Sequence, residues 1–254
     1  MATPAEIGAL SERILAGDPR ALARAATLAV NQPAAAEALR KSLSAHTGQA
    51  MTIGITGAPG IGKSTLVDQL TTILRSEGKT VGVIAVDPSS PFSHGAILGD
   101  RIRMQRHHGD PGVFIRSLAS RGKSGGLAEG AREVALLLDA AGRDVVIIET
   151  VGAGQEEVEV ARAADITVVV LAPGFGDDVQ VMKAGIMEIA DVFAINKSDM
   201  PGADRLEQEI RMMQSLGGED DRSSAAPVRR VVANEGTGIE DLLAAIRDVF
   251  QNRK

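Results

Sequence analysis

A parallel α/β sheet of about seven strands, with helices on both faces, is the fold predicted from Met51 onward, on three observations. Short apolar runs rich in Val and Ile recur along the chain, stretches of helical spacing separate them, and the runs end in Gly, Asp, Asn or Glu. Functional loops then belong at the carboxyl edge of the sheet.

Residues 1–46 come first and predict a short helical extension. Thr3-Pro4-Ala5-Glu6 is a capping box with Pro at the first helical position, Asp18-Pro19 repeats the start signal, and Gly17 is a helix stop between them. Residues 47–254 form the predicted α/β domain. Its strands are expected at MTIGIT (51–56), VGVIAV (81–86), VFIRSL (113–118), DVVIIET (144–150), ITVVVLA (166–172), DVFAIN (191–196) and VRRVVA (228–233). A last helix is expected in LLAAIRDVFQNRK. No internal repeat or low-complexity linker interrupts the pattern.

Composition narrows the function classes. Thirty-three acidic against 27 basic side chains leave a net charge of −6, without the basic excess that drives binding to a phosphate backbone, so no nucleic-acid partner is expected. The absence of Cys removes disulfides, thiolate metal sites and a cysteine nucleophile. No apolar run approaches the roughly 20 residues that span a bilayer, and MATPAEIGALSERILAGDPR lacks the features of a signal peptide. A cytoplasmic protein with no membrane partner is the expectation.

Chemistry concentrates where MTIGIT runs into Gly57-Ala58-Pro59-Gly60-Ile61-Gly62-Lys63-Ser64, the phosphate-loop pattern of Gly, four residues and Gly-Lys-Ser, with Thr65 continuing it. Glycines let backbone N–H groups turn inward around the β-phosphate, the following helix adds its positive end, Lys63 reaches the β and γ oxygens, and Ser64 offers a hydroxyl to Mg²⁺. Asn196-Lys197-Ser198-Asp199 ends a later strand at the same sheet edge. Asp199 accepts from guanine N1–H and the exocyclic amine, whereas adenine would leave the carboxylate unpaired. Asn196 is expected at the other guanine edge, with the Lys197 stem on the ring. Two acidic strand ends, Asp87 and Glu149, are placed to meet the metal directly or through water, and Gly152 can give its N–H to the γ-phosphate.

On these segments, together with VDPSS, ILGDRIRM, RGKSGGLAEGAREV, DVVIIETVGAGQEE, PGFGDDVQVMKAGIMEIADVFAINKSD and EGTGIEDL, the chain resembles the MeaB/ArgK-type P-loop GTPases, relatives of the nickel-inserting GTPases. The resemblance implies GTP and GDP as ligands, Mg²⁺ as cofactor, and hydrolysis that is slow until a partner stimulates it. It also implies that the partner is an adenosylcobalamin-dependent acyl-CoA mutase, of the methylmalonyl-CoA mutase type, whose cofactor loading the GTPase gates and which it protects. Asp87 and Asp100 then become first-switch acids near the metal, and Glu149 and Gly152 second-switch residues. Gln155 falls near the attacking water, Asp177, Gln180 and Lys183 fall in a third switch, and Lys183 is a candidate cation for the transition state.

The sequence departs from that family in places. Val232-Ala233-Asn234 replaces a Thr-Ser-Ala-like segment, leaving Ala233 and Asn234 as the base-loop contacts. His94 and Ala96 stand where Gly and Ser are usual, and Glu156 where a small residue is usual. The family continues into a C-terminal helical arm used for dimerisation, so a homodimer here is expected only through an interface the sequence does not specify. Rival readings are a nickel-delivery GTPase, a P-loop ATPase of transport or kinase type, and a GTP-binding switch that does not hydrolyse. His107-His108 and the Arg101, Arg103, Arg106 stretch read as solvated surface, and Met182, Met187, Met212 and Met213 as core filler.

Overall fold

The computed structural model describes residues 3–87, 104–119, 126–150, 163–174, 187–216 and 225–253, the side chains of 87, 119 and 126–129 excepted. Three helices open the chain: α1 (Pro4–Leu15), α2 (Pro19–Asn31) and α3 (Pro33–Leu43). The capping box forms as its spacing demands, Glu6 N donating to Thr3 Oγ1 at 3.3 Å while Thr3 N donates to Glu6 Oε2 at 2.7 Å. Gly17 stops α1 at φ +79°, and Asp18 caps α2 by accepting from the N–H groups of Arg20 and Ala21.

The sheet holds seven parallel strands in the order β3-β2-β4-β1-β5-β6-β7. These are β1 (Met51–Thr56), β2 (Val81–Asp87), β3 (Val113–Ala119), β4 (Val145–Thr150), β5 (Ile166–Leu171), β6 (Val192–Ile195) and β7 (Val228–Arg230). The remaining helices are α4 (Lys63–Ser76), α5 (Gly126–Ala140), α6 (Ala203–Leu216) and α7 (Ile239–Gln251). The last strand stops three residues short of its apolar run. Val232 turns away to bridge Thr237 and leaves the sheet after Arg230.

Side chains alternate across the sheet and feed two faces. Ile53, Ile55, Val83, Ile147, Val168 and Val170 meet α4 and α7, whose Leu66, Leu70, Ile239, Leu242 and Ile246 are buried. On the other face Ile84, Val86, Leu118, Val146 and Ile148 meet α5 and all three opening helices in one continuous core. The helical extension is thus packed against the sheet, with Ile14, Leu22, Leu39 and Leu43 buried in that core, each contributing about 1.5–3 kcal/mol of burial. Asp139 of α5 secures the connection by accepting from the N–H groups of Gly48, Gln49 and Ala50. Toward the β7 edge, α6 covers Phe193 and Ile195 through Leu206 and Ile210.

The strand order determines where a ligand can sit. From β1 the chain passes to β2 and β3 on one side, and from β4 it jumps across β1 to β5, β6 and β7 on the other. The carboxyl end of β1 therefore faces the crevice between two diverging connections. None of the described helices is long and apolar enough to cross a membrane.

Candidate nucleotide site

β1 ends at Thr56, and the next residue can only be glycine. Gly57 has φ +139°, and a Cβ there would stand 2.2 Å from Val170 O. Gly62 has φ +96°, and its Cβ would stand 2.4 Å from Asn196 Nδ2. The loop thus passes hard against β5 and against the residue that follows β6, as a backbone cradle for phosphate requires. Gly60 is also left-handed, and α4 begins at Lys63 with its N-terminus at the loop.

Lys63 is 5% exposed and folds back into the cradle, donating to Gly57 O at 2.7 Å and Ala58 O at 2.9 Å. Its ammonium is held among backbone carbonyls at the loop, ready to exchange them for phosphate oxygens. Ser64 and Glu149 meet: the Ser64 hydroxyl donates to Glu149 Oε1 at 2.7 Å, both side chains being buried. Asp87 closes β2 beside them, since Ala85 and Val86 pair in register with Glu149 and Thr150. A hydroxyl and a carboxylate at the first turn of the phosphate-loop helix are hard oxygen donors, so this pair fits a Mg²⁺-type cation. Thr65 is exposed.

The base end is built on a knot of hydrogen bonds around Asn196. Asn196 is 2% exposed, and its amide joins two loops, Nδ2 donating to Ile61 O at 2.7 Å and Oδ1 accepting from Ala233 N at 3.0 Å. Both ends of the side chain thus brace the scaffold, and the amide nitrogen carries a second N–H besides the one given to Ile61 O. Lys197 takes φ +54° and reaches Gly60 O at 3.1 Å, and Ser198 holds Val231 O through its N–H and hydroxyl. This knot leaves Asp199 exposed beside the loop 232–238, in which Ala233 is buried and Asn234 exposed. Asn196→Ala is expected to remove two buried hydrogen bonds and about 2–3 kcal/mol of stability, a melting temperature lower by roughly 5–10 °C in thermal unfolding. A shift under about 2 °C would contradict the joint.

Sequence reasoning missed two features near the site. Thr56 and Thr150, both fully buried, share a hydrogen bond at 3.1 Å between the ends of β1 and β4. One turn along α4 from Ser64, buried Asp68 pairs with Arg106 at 2.7 Å and lies 3.2 Å from His107 Nε2. Burial pushes the Asp68 carboxyl above the usual carboxylate range, and Arg106 and His107 pull it back. His107 is therefore buried where a solvated loop was expected, whereas Arg106 is exposed as expected while it pairs with Asp68. His108 is exposed. Of the methionines read as core, Met187 is buried, Met213 half-buried and Met212 exposed. Asp100, Gly152, Gln155, Asp177, Gln180 and Lys183 lie outside the described residues, as do His94, Ala96, Glu156, Arg101, Arg103 and Met182.

Comparison with known proteins agrees with this geometry. The sequence profile of the family described as methylmalonyl Co-A mutase-associated GTPase MeaB matches residues 22–254. A Pyrococcus abyssi protein named as a candidate GTPase is 50% identical over 95% of this chain and 75% of its own. GTPase ArgK of Escherichia coli is 45% identical over 74% of this chain and 58% of its own. Among solved structures, an LAO/AO transport system kinase superposes with a TM-score of 0.73 at 32% identity, over 98% of this chain and 76% of the other.

Proposed function

The chain belongs to the MeaB family of GTPases, and from that premise we propose that it hydrolyses GTP with Mg²⁺ as chaperone of an adenosylcobalamin-dependent acyl-CoA mutase, gating cofactor loading and protecting the enzyme. The observation that carries the chemical half is the meeting of Ser64 and Glu149 at 2.7 Å beside the phosphate loop. The family description supports the mutase half.

Phosphoryl transfer to water depends on positioning and charge more than on covalent chemistry. In this reading the loop N–H groups and the α4 terminus bind the β-phosphate, Lys63 moves from Gly57 O and Ala58 O to the β and γ oxygens, and Asp199 selects guanine. Ser64 and Glu149, joined by Asp87, would hold the cation, which would neutralise phosphate charge; the family resemblance adds Asp100 to that set. Gly152 donates its N–H to the γ-phosphate, Gln155 orients water, and Lys183 adds positive charge when a partner orders it; these three roles rest on the family resemblance. A segment held by the γ-phosphate relaxes on hydrolysis, which reports the nucleotide state to the mutase.

GTP turnover measured with Mg²⁺, alone and with the host's cobalamin-dependent mutase in stoichiometric amount, tests both halves. A slow basal rate raised many-fold by the mutase is the expected result. A basal rate that the mutase leaves unchanged would keep the GTPase and remove the partner.

A further inference from the structure

The threonine pair has no place in the chemistry above, yet it sits at the root of both functional segments. Thr56 is the last residue of β1, directly before Gly57, and Thr150 the last of β4, directly after Glu149. Thr150 Oγ1 donates to Thr56 Oγ1 at 3.1 Å, and neither side chain has any exposed surface. Alternation along the strands puts this bond on the sheet face opposite the bond between Ser64 and Glu149. The end of β4 is thus tied on one face to Thr56, where the phosphate loop begins, and on the other to Ser64, where it ends.

We propose that Thr56 and Thr150 are positioning residues of GTP hydrolysis, which keep the roots of the phosphate loop and of the Glu149 segment in register while the other tie is broken. The proposal rests on the GTPase reading above. Once Ser64 and Glu149 turn to a cation, their mutual hydrogen bond is given up, and the buried hydroxyl pair is a side-chain tie that stays in place beside the backbone pairing of Ile55 with Glu149. Stability alone does not select it. A buried hydroxyl pair is nearly balanced by an apolar pair of the same shape, and Val has the same branching and fits a strand as well as Thr. What Val cannot supply is a directional bond that fixes the two exits against a sliding displacement. A misplacement of about 1 Å at such a site is enough to slow a reaction that depends on alignment.

The test uses the full chain with Thr56→Val, Thr150→Val, the double variant and Thr150→Ser, measuring single-turnover GTP decay at saturating Mg²⁺, GDP affinity and melting temperature. Each Val variant is expected to slow hydrolysis about tenfold, and the double variant no more than either single one, because one shared bond is lost in all three. GDP affinity stays within about twofold and Thr150→Ser retains most of the rate. Each single Val variant, which leaves one buried hydroxyl unpaired, melts roughly 3–10 °C lower, and the double variant melts at the wild-type temperature or above, so the rate loss does not follow the melting temperature. Three results would overturn the proposal: Val variants that hydrolyse at the wild-type rate, effects that multiply in the double variant, or rate losses that track losses of melting temperature. A wild-type protein that does not turn GTP over would overturn this proposal together with the reading it rests on.

Discussion

Lys63→Ala abolishes the rise in melting temperature that GDP or GTP gives the native protein. A ligand that binds only the folded state stabilises it by mass action, about 2.7 kcal/mol at a hundred times its dissociation constant, which for a chain of this length is a shift of roughly 5–10 °C. Most of that shift depends on one ammonium. Lys63 is buried in the loop and contacts the carbonyls of Gly57 and Ala58, so phosphate oxygens arriving in the cradle meet a cation that is already desolvated and aimed. Alanine leaves the backbone cradle but removes its charge. The unliganded melting temperature should fall far less than the ligand shift, because alanine removes the desolvation cost of the buried ammonium along with its contacts. Differential scanning fluorimetry with and without GDP reads both quantities, and a variant that keeps the shift would contradict the role of the loop.

Asp199→Asn comes second in size and changes the choice of base. In the proposed role the native carboxylate accepts from guanine N1–H and the amine, two charge-assisted bonds of about 1.5–3 kcal/mol each, so their loss is expected to lower GDP affinity by roughly 10²- to 10⁴-fold. An asparagine amide offers a donor where the carboxylate offered only acceptors. Xanthosine diphosphate carries a carbonyl in place of the guanine amine, and its affinity should rise in the variant. Because Asp199 is exposed, stability should move by no more than about 0.5 kcal/mol. Competition of GDP, ADP and xanthosine diphosphate for one labelled nucleotide makes the comparison directly. Equal binding of ADP and GDP by the native protein would sink the base assignment before any variant is made.

Much of this was legible in the sequence because it depends on local chemistry. All seven strands stand where apolar runs of Val and Ile meet turn residues, and the phosphate loop declares itself by its glycines. Four things were not legible. Asn196 bonds to Ile61 O, 135 residues away, and to Ala233 N, and backbone groups leave no mark on a side-chain pattern. The strand at Val228 looked longer than it is, because Val232 serves the turn to Thr237 with the same apolar side chain a strand would use. The opening helices showed their apolar faces but not the surface those faces cover, which comes from β2, β3, β4 and α5. His107 was misjudged for a related reason: its burial is set by Asp68, on a helix that precedes it by a whole strand.

The central position of β1 has a consequence for the order in which the protein is made. Ile53 lies between Ile147 and Ile166, so the strand that launches the phosphate loop stays unpaired on both edges until well over half of the chain has been synthesised. The joint at Asn196 closes later still, when Ala233 arrives to donate its N–H. A nascent chain on the ribosome thus exposes the Gly57–Ser64 segment long before it can hold a nucleotide, and pairings this distant form slowly. Cellular GTP and GDP, able to bind only after the last strand is in place, act as ligands of the completed protein and draw the final steps of its folding forward.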